Sequence, residues 1–244
     1  MTINVLINGA FGRMGQSTAK ALSEHGGFNV VGETGREYDL KKAIQDSHAQ
    51  VVVDFTNAES VYENTKAIIE AGAHPVIGTS GLTREQVANL QKLAAEKKLG
   101  GIIAPNFSLG AVLMMKHAAE IVKYMPNVEV IELHHDKKLD SPSGTALRTT
   151  EMLNAACDHV NKDRLASKET IPHARGANDH GIQIHAIRLP GLLAHQQIIF
   201  GGTGETLTLR HDSTDRQCFM PGVCFACEKV MDLKELVYGL EGLL

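Results

Sequence analysis

Aromatic residues are scarce in this chain of 244 residues, which contains no tryptophan, four tyrosines and seven phenylalanines. Proteins that bind single-stranded nucleic acid stack the bases on aromatic side chains. Excess positive charge is also missing, because 24 lysines and arginines stand against 28 aspartates and glutamates, for a net charge of −4. We therefore expect no nucleic acid and no membrane surface as a partner, since basic side chains hold both. A small anionic ligand remains compatible, because a pocket can be locally positive.

Long apolar runs, a leader pattern and a disulfide framework are lacking as well. No stretch approaches the roughly 18 apolar residues of a membrane-spanning helix, and the N-terminus lacks the basic region and cleavage site of a signal peptide. The cysteines at 157, 218, 224 and 227 are few for this length, which favours a cytoplasmic, reducing compartment. Cys224 and Cys227 form a CxxC pair with no second pair beside it, so we predict no metal site.

The N-terminal part of the chain alternates short apolar segments with amphipathic helical ones. Such alternation predicts an α/β fold with a Rossmann-like, doubly wound parallel sheet. Helices are expected from the first glycine turn to about His25, from Asn57, as its cap, to about Ala71, and from Thr83 onwards. The predicted strands are Ile3–Asn8, Phe28–Gly32, Val51–Phe55, His74–Ile77 and Gly101–Ala104.

A glycine-rich turn lies between the first predicted strand and the first helix: Gly9-Ala10-Phe11-Gly12-Arg13-Met14-Gly15. Its spacing is G-x-x-G-x-x-G rather than G-x-G-x-x-G. Glycines at such a junction let a pyrophosphate approach the backbone, and the helix N-terminus adds N–H groups and partial positive charge. We therefore predict a dinucleotide site formed by residues 9–14, with an ordinary tight turn as the alternative.

The end of the second strand should select the nicotinamide cofactor. A carboxylate there binds the ribose of NAD, whereas an arginine accepts the 2′-phosphate of NADP. The chain offers both Glu33 and Arg36, and Arg13 in the glycine turn could join Arg36 on a phosphate. The pattern favours NADPH and leaves NADH open; surface arginines without a ligand are the alternative.

Further cofactor contacts are predicted in the loops after the third, fourth and fifth strands. Ligands of doubly wound sheets gather at the C-terminal ends of the strands. The predicted contacts are Phe55, Gly78, Thr79, Ser80, Ala104, Pro105, Asn106 and Phe107.

The second half of the chain predicts an α+β domain over residues 108–215, which carries the substrate and the oligomer contacts. Residues 1–107 and 216–244 form the dinucleotide-binding domain, to which Leu233–Leu244 returns after a helix at 215–231. We expect an open, mostly antiparallel sheet, because residues alternate in the later extended runs, and a long loop at 158–180. The expected elements are a helix at Leu109–Tyr124, a strand at Asn127–Asp136, a helix at Ser143–Cys157, and strands at Ile182–Leu189, Ala194–Phe200 and Glu205–His211.

The junction between the strand and the helix of this second domain is the candidate catalytic pocket. His134 is suited to donate a proton near neutral pH. Lys138 would point to the same face of the strand as His134 if the strand continues to residue 138. The N–H groups of Gly144 and Thr145, at a helix start capped by Ser143, would hold a carboxylate. Two alternatives remain, namely polar residues at a strand edge with a plain helix start, and a His-His metal site.

Residues 132–146 resemble the signature E-x-H-H-x-x-K-x-D-x-P-S-G-T-A of the dihydrodipicolinate reductase family, also called 4-hydroxy-tetrahydrodipicolinate reductases. The resemblance covers nearly the whole chain. Further family motifs match Gly9–Gly15, Val52–Thr56, Gly78–Gly81 (serine replaces one threonine), Ala104–Ser108, His185–Gly191 and Gly204–Asp212.

The resemblance implies NAD(P)H-dependent reduction of a cyclic imine dicarboxylate to tetrahydrodipicolinate, on the diaminopimelate and lysine pathway. It implies that His134 donates the proton and that Lys138 acts beside it as a proton donor or as a carboxylate anchor. It also implies that His135, Gly144 and Thr145 bind the substrate carboxylates. It also implies a homotetramer and a hinge between the domains. Relatives that favour NADH carry an acidic residue at the position of Gly35, which strengthens the role of Arg36.

Two other functions are compatible with parts of the chain. A different two-domain nicotinamide dehydrogenase would share the glycine turn but not the segment from His134 to Lys138. A regulator that senses the cofactor without turnover would have lost the proton donor or the lysine, and both are present.

Overall fold

The computed structural model describes residues 2–162 and 168–244. The chain divides into two compact units, the first formed by Met1–Leu109 with Arg216–Leu244 and the second by Gly110–Asp215. None of the helices in these described ranges has the length and apolar character needed to cross a membrane.

The elements follow one another in this order: β1 (Ile3–Asn8), α1 (Arg13–Glu24), β2 (Phe28–Thr34), α2 (Leu40–Ser47), β3 (Val51–Asp54), α3 (Val61–Glu70), β4 (His74–Ile77), α4 (Arg84–Lys97), β5 (Gly101–Ile103), α5 (Leu109–Ile121), β6 (Asn127–His134), α6 (Gly144–Ala156), β7 (Ala177–Asp179), β8 (Ile182–Arg188), β9 (Ala194–Gly202), β10 (Glu205–Ser213), α7 (Met220–Lys229) and β11 (Leu236–Tyr238).

The first unit contains a parallel sheet with the strand order β11-β5-β4-β3-β1-β2. Residues 51–53 of β3 have no exposed surface, as is typical of strands covered on both faces. The connections after β1 and β2 lead to opposite sides of β1, so the strand order reverses there. Ligands bind at this position in doubly wound sheets, and the glycine turn follows β1. The predicted Rossmann-like fold is confirmed.

A buried carboxylate joins the C-terminal ends of these strands. Asp54, at the end of β3, has no exposed surface. Its Oδ2 accepts hydrogen bonds from the amides of Asn8 (2.8 Å) and Asn64 (3.0 Å), and its Oδ1 accepts from the hydroxyls of Thr56 (2.7 Å) and Thr79 (2.6 Å). Because buried polar groups need partners, this network fixes the loops after β1, β3 and β4 relative to one another.

Some local predictions for the first unit were incomplete or wrong. Helix α2 was not predicted, because it is short and buries only Ile44; Asp39 caps it by accepting the N–H of Lys42 at 3.0 Å. Helix α3 begins at Val61 rather than at Asn57, whose side chain accepts the N–H groups of Glu59 and Ser60 instead. Asparagine side chains readily form such local turns in competition with a helix cap.

The C-terminal segment returns to the first unit, where β11 pairs with β5 in parallel. The expected helix at 215–231 is divided into a 3₁₀ turn at Arg216–Phe219, α7, and a second 3₁₀ turn at Val230–Asp232. Cys224 and Cys227 are buried free thiols in α7, and burial raises the pKa of both. Thiols in such surroundings are unreactive.

The second unit contains a mixed sheet with the strand order β10-β9-β6-β8-β7. Strands β6 and β8 are parallel, whereas the other neighbours are antiparallel, so the predicted mostly antiparallel sheet is confirmed. Helices α5 and α6 cover one face. The apolar core between them and the sheet includes Met114, Ala118, Val122, Val128, Val130, Ala146, Leu153, Ile184, Ile198 and Phe200.

Several element boundaries in this unit differ from the prediction, and one strand was not predicted. Strand β6 ends at His134 rather than Asp136, and β7 falls in the segment 158–180 that was expected to be a loop. Residues 163–167 of that segment lie outside the described residues. The end of β6 matters for the site, because Lys138 and His134 can share a strand face only if the backbone stays extended beyond His134.

Candidate active site

The glycine turn is tightly packed against the neighbouring loop. Gly9 has a φ of +81°, and a Cβ there would lie 2.3 Å from the carbonyl oxygen of Phe55. A Cβ at Gly15 would lie 2.2 Å from the carbonyl oxygen of Gly9. The N–H of Gly12 donates to that same oxygen at 3.1 Å. The compact turn leads directly into α1, whose first-turn N–H groups have no carbonyl partner within the helix and can bind a phosphate. These residues fit a dinucleotide pyrophosphate.

The end of β2 lies against the same turn. The carbonyl oxygen of Thr34 accepts the N–H groups of Gly9 (2.9 Å) and Ala10 (3.1 Å). The side chains of Glu33, Arg36 and Arg13 are exposed. A carboxylate and two guanidinium groups are therefore available near this strand end for the ribose or its 2′-phosphate.

Gly35 leaves room for the ring of Phe11. A Cβ at Gly35 would lie 3.0 Å from a ring carbon of Phe11, and the Phe11 ring is 59% exposed. The Phe11 and Tyr38 ring centroids are 6.1 Å apart. A larger residue at position 35 would have to displace this ring.

The loops after β3, β4 and β5 meet around Gly78. The rings of Phe55 and Phe107 lie edge to face with centroids 5.7 Å apart, and a Cβ at Gly78 would lie 2.1 Å from Phe55 and 2.8 Å from Phe107. The Thr79 hydroxyl accepts the N–H of Thr56 at 2.8 Å as well as donating to Asp54, so a cofactor contact from Thr79 would involve its backbone.

The other predicted cofactor residues differ in how exposed they are. Ala104 is buried, and Asn106 is partly exposed and accepts the N–H of Ser108 at 2.8 Å. Ser80 and Pro105 are exposed loop residues, and Met14 is partly buried in α1. The strand ends thus bring together Gly9, Phe55, Gly78 and Phe107 by direct contact.

In the second unit, the junction consists of a strand end, a turn and a capped helix. The N–H of Lys138 donates to the carbonyl oxygen of His135 at 3.1 Å, which closes a turn directly after β6. Ser143 caps α6 by accepting the N–H of Ala146 at 3.2 Å. The position of Lys138 relative to His134 is set by this turn and not by strand parity, which corrects the prediction.

The helix start after this turn remains accessible. Gly144 is exposed and no atom lies within 4 Å of where its Cβ would be; Thr145 and His135 are partly exposed. Amides at a helix N-terminus favour anions, so this position suits a carboxylate.

His134 contacts a buried carboxylate on its own strand. Its Nδ1 is hydrogen bonded to Oε2 of Glu132, and the two side chains are 13% and 0% exposed. The Glu132 carboxylate also accepts two hydrogen bonds from Arg188, each of 2.8 Å. Burial alone would raise the pKa of Glu132, but the hydrogen bonds and charges of His134 and Arg188 outweigh it and the pKa is lowered.

Lys138 is paired with Asp140. Its ammonium lies 2.8 Å from each carboxylate oxygen of Asp140, and this hydrogen bonding lowers the pKa of Asp140. The lysine side chain is 22% exposed and the aspartate 61%. An ammonium that already binds a solvent-exposed carboxylate is placed to bind another.

Glu132, Arg188 and Asp140 are site residues beyond those that the sequence predicts. Glu132 lies two residues before His134, so the period of a strand puts both on one face. Arg188 lies opposite His134 in the parallel register of β6 and β8. The first relation could be read from the sequence, whereas the second required knowing that these two strands pair in parallel.

Comparisons with known proteins agree along the whole chain. Family models described as "Dihydrodipicolinate reductase, N-terminus" and "Dihydrodipicolinate reductase, C-terminus" match residues 3–107 and 110–244. A 4-hydroxy-tetrahydrodipicolinate reductase of Legionella pneumophila is 54% identical over 244 residues, and one of Coxiella burnetii is 53% identical over 248 residues. Both alignments cover 100% of this chain and of the relative.

A solved structure is similar over the same extent. The dipicolinate-bound dihydrodipicolinate reductase of a Paenisporosarcina species matches with a TM-score of 0.91 and 43% sequence identity, covering 100% of both chains. On these matches and on the signature at 132–146, the chain belongs to the dihydrodipicolinate reductase family.

Proposed function

We propose that this protein is an NAD(P)H-dependent 4-hydroxy-tetrahydrodipicolinate reductase of the diaminopimelate and lysine pathway. The observation that carries the proposal is the junction after β6, where an imidazole backed by a buried carboxylate precedes an ammonium and an open helix start. Relatives identical at more than half of their positions bear this activity in their names.

The reaction adds one hydride and one proton to the substrate and removes its 4-hydroxyl group as water. NAD(P)H, when bound at the glycine turn of the first unit, supplies the hydride. His134 gives the proton to the ring carbon next to the one that receives the hydride. The nitrogen that gives it is Nε2, because Nδ1 faces Glu132.

The substrate is a dicarboxylate, and its carboxylates are bound by Lys138, His135, Gly144 and Thr145. The solved relative is named for bound dipicolinate, which is pyridine-2,6-dicarboxylate and so has two carboxylates on one ring. Lys138 provides an ammonium, and Gly144 and Thr145 provide N–H groups at the start of α6. Lys138 exchanges its contact with Asp140 for one with the substrate.

The preferred cofactor is NADPH. Arg36 and Arg13 are exposed and free to meet a 2′-phosphate, and the residue between β2 and Arg36 is a glycine rather than an acid. An arginine fork binds phosphate in bidentate fashion. Glu33 leaves NADH as a slower alternative through its contact with a ribose hydroxyl.

The proposal includes a cytoplasmic homotetramer formed through the sheet of the second unit. Strand β10 is an edge strand of nine residues and is exposed along most of its length. Ile131, Leu133 and Ile199 are only partly buried, on the face opposite the helices. Long exposed edges and apolar faces are where chains associate, and the free cysteines suit a reducing compartment.

The test is a coupled assay with freshly prepared product of the preceding synthase. Loss of the absorbance of reduced nicotinamide is expected only when the protein, the synthase product and NADPH or NADH are all present. The matched control omits the synthase product. Binding of NADPH without oxidation would support a cofactor sensor and overturn the proposed enzyme. Oxidation of NADPH by another oxo acid alone, or reduction of NADP+ by an amino acid alone, would indicate a different dehydrogenase.

A further inference from the structure

The side chain of Glu132 is fully buried in the second unit, yet it accepts hydrogen bonds on both oxygens. Oε1 accepts the N–H of Ser143 at 3.2 Å and a guanidinium N–H of Arg188 at 2.8 Å. Oε2 accepts a second guanidinium N–H of Arg188 at 2.8 Å and faces Nδ1 of His134. A buried carboxylate needs such compensation, and here one of its partners is the proposed proton donor.

We propose that Glu132 and Arg188 are positioning residues, which fix the tautomer and orientation of His134 and hold the segment that carries Lys138. This inference rests on the proposed function, in which His134 donates the proton. An ionised carboxylate only accepts hydrogen bonds, so Nδ1 of His134 carries a hydrogen in every protonation state. The exchangeable site is then Nε2.

The proton transfer follows from this arrangement. In the imidazolium, the Nε2–H bond breaks as the new C–H bond of the substrate forms, and the electron pair of Nε2 remains on a neutral ring with hydrogen on Nδ1. Glu132 does not take up a proton; it stabilises the imidazolium before transfer, as a carboxylate does beside histidine in hydrolytic triads.

Arg188 acts on the other side of the carboxylate. The guanidinium keeps Glu132 ionised in spite of its burial, and the same Nη2 that contacts Oε1 donates to the carbonyl oxygen of Asp140 at 2.7 Å. Asp140 in turn binds the ammonium of Lys138. One arginine therefore connects the proton donor and the carboxylate anchor, which lie on either side of the turn after β6.

A purely structural ion pair is the competing explanation, because buried pairs are common and do not by themselves indicate function. The distinguishing variant is Glu132→Gln, which keeps the size and removes the charge. Its matched control is Glu129→Gln on the same strand, because Glu129 is also hydrogen bonded to a histidine, His185 (2.7 Å), and to Arg175. Neither partner of Glu129 belongs to the proposed site.

We expect Glu132→Gln to lower kcat by about 10- to 100-fold, less than the roughly 100- to 10,000-fold contribution of general acid catalysis itself. The substrate KM should change by less than about threefold, and the solvent isotope effect on kcat should increase because proton transfer becomes slower. Glu129→Gln should leave all three quantities within about twofold. Unchanged kcat in a folded Glu132→Gln variant overturns the inference.

The double variant Glu132→Gln/His134→Gln tests whether the effect passes through the histidine. It should be no slower than His134→Gln alone, because residues that act as a unit are not additive. If the fold loss of kcat in the double variant equals the product of the losses in the two single variants, Glu132 acts independently of His134. Full activity of His134→Gln would instead remove the proposed role of His134, and an inactive wild-type protein would remove the proposed function.

Nitrogen NMR of the His134 ring measures its tautomer directly and does not depend on enzyme activity. The neutral ring should show hydrogen on Nδ1 alone in the wild-type protein and a mixture of tautomers in Glu132→Gln, whereas Glu129→Gln should match the wild type. The same tautomer ratio in all three overturns the inference.

If Glu132→Gln fails to fold, Arg188→Lys replaces it, since lysine keeps the charge but loses the two-pronged guanidinium contact with the carboxylate. Unchanged kcat and KM in Arg188→Lys would then count against the proposal.

Discussion

The ammonium of Lys138 lies 2.8 Å from both carboxylate oxygens of Asp140. Because the Asp140 side chain is 61% exposed, water competes for it, and exposed pairs of this kind contribute only about 0–1 kcal/mol. The contact is therefore weak enough to be exchanged for a ligand carboxylate. It also shows that the lysine is already oriented towards a group of the right charge.

Replacing Lys138 should weaken dicarboxylate binding. We expect Lys138→Ala to reduce the affinity for pyridine-2,6-dicarboxylate by about 2–4 kcal/mol, the range for losing one partner of a desolvated charge pair. Isothermal titration calorimetry measures the difference. Lys137→Ala is the matched control, because Lys137 is the adjacent lysine and is exposed. Equal affinities of the two variants would contradict the assignment of Lys138.

Replacing His134 should affect turnover rather than binding. His134→Gln removes a proton that is transferred in the transition state, so kcat should fall by roughly 100- to 10,000-fold while the substrate KM stays within a few-fold. Steady-state kinetics with saturating NADPH separate the two constants. His117→Gln serves as the control, since His117 is exposed on α5. A rise in KM at constant kcat would make His134 a binding residue instead.

The sequence predicted the relation of His134 to its surroundings only in part. The prediction that strand parity relates His134 to Lys138 is wrong, because β6 ends at His134 and a turn follows. The pairing with Arg188 depends on the parallel register of β6 and β8, which local patterns do not encode. The shared face of Glu132 and His134 follows from their spacing, but the burial of Glu132 depends on Arg188, since a glutamate is rarely fully buried without a partner.

The first unit was more predictable, because its strands are short, apolar and separated by amphipathic helices. Burial on both faces makes such strands visible as continuous apolar runs. Helix α2 escaped detection because Ile44 alone is fully buried in it, so hydrophobic periodicity is weak there. The roles of Glu33, Arg36 and the other cofactor residues stay predictions, since they depend on a bound molecule.

Replacing Arg36 should alter the preference between the two cofactors. Hydrogen bonds to charged groups contribute about 1.5–3 kcal/mol, so Arg36→Ala should raise the KM for NADPH by roughly 10- to 100-fold and leave that for NADH nearly unchanged. The ratio of kcat/KM for the two cofactors is the measurement. Arg84→Ala, an exposed arginine at the start of α4, is the control. Parallel losses with both cofactors would show that Arg36 does not bind the 2′-phosphate.

Adding one methyl group at Gly15 should disrupt the glycine turn. Alanine normally stabilises a helix by about 1 kcal/mol over glycine, but a Cβ at Gly15 would lie 2.2 Å from the carbonyl oxygen of Gly9 and 2.5 Å from the Cα of Ala10. The clash involves backbone and should dominate, with a net loss of about 1–3 kcal/mol. Urea unfolding measures it, and the KM for NADPH should rise as well. Gly26→Ala is the control, because its Cβ would meet no atom within 4 Å.

Acid should destabilise the protein partly through Glu132. The pKa of Glu132 in the folded protein is below its ordinary value of 4.5, so the unfolded chain binds more protons in that range and the free energy of unfolding decreases as the pH falls. The contribution is complete above about pH 4.5 and is lost as the pH drops through the lower folded pKa. Urea unfolding between neutral pH and about pH 3 should therefore show a steeper decline in the free energy of unfolding for the wild type than for Glu132→Gln.

Asp140→Asn is the comparison, since the pKa of Asp140 is also lowered but the exposed side chain is screened by water. The curve of Asp140→Asn should stay close to that of the wild type. Curves of equal slope for Glu132→Gln and the wild type would mean that folding does not lower the pKa of Glu132, which contradicts the prediction.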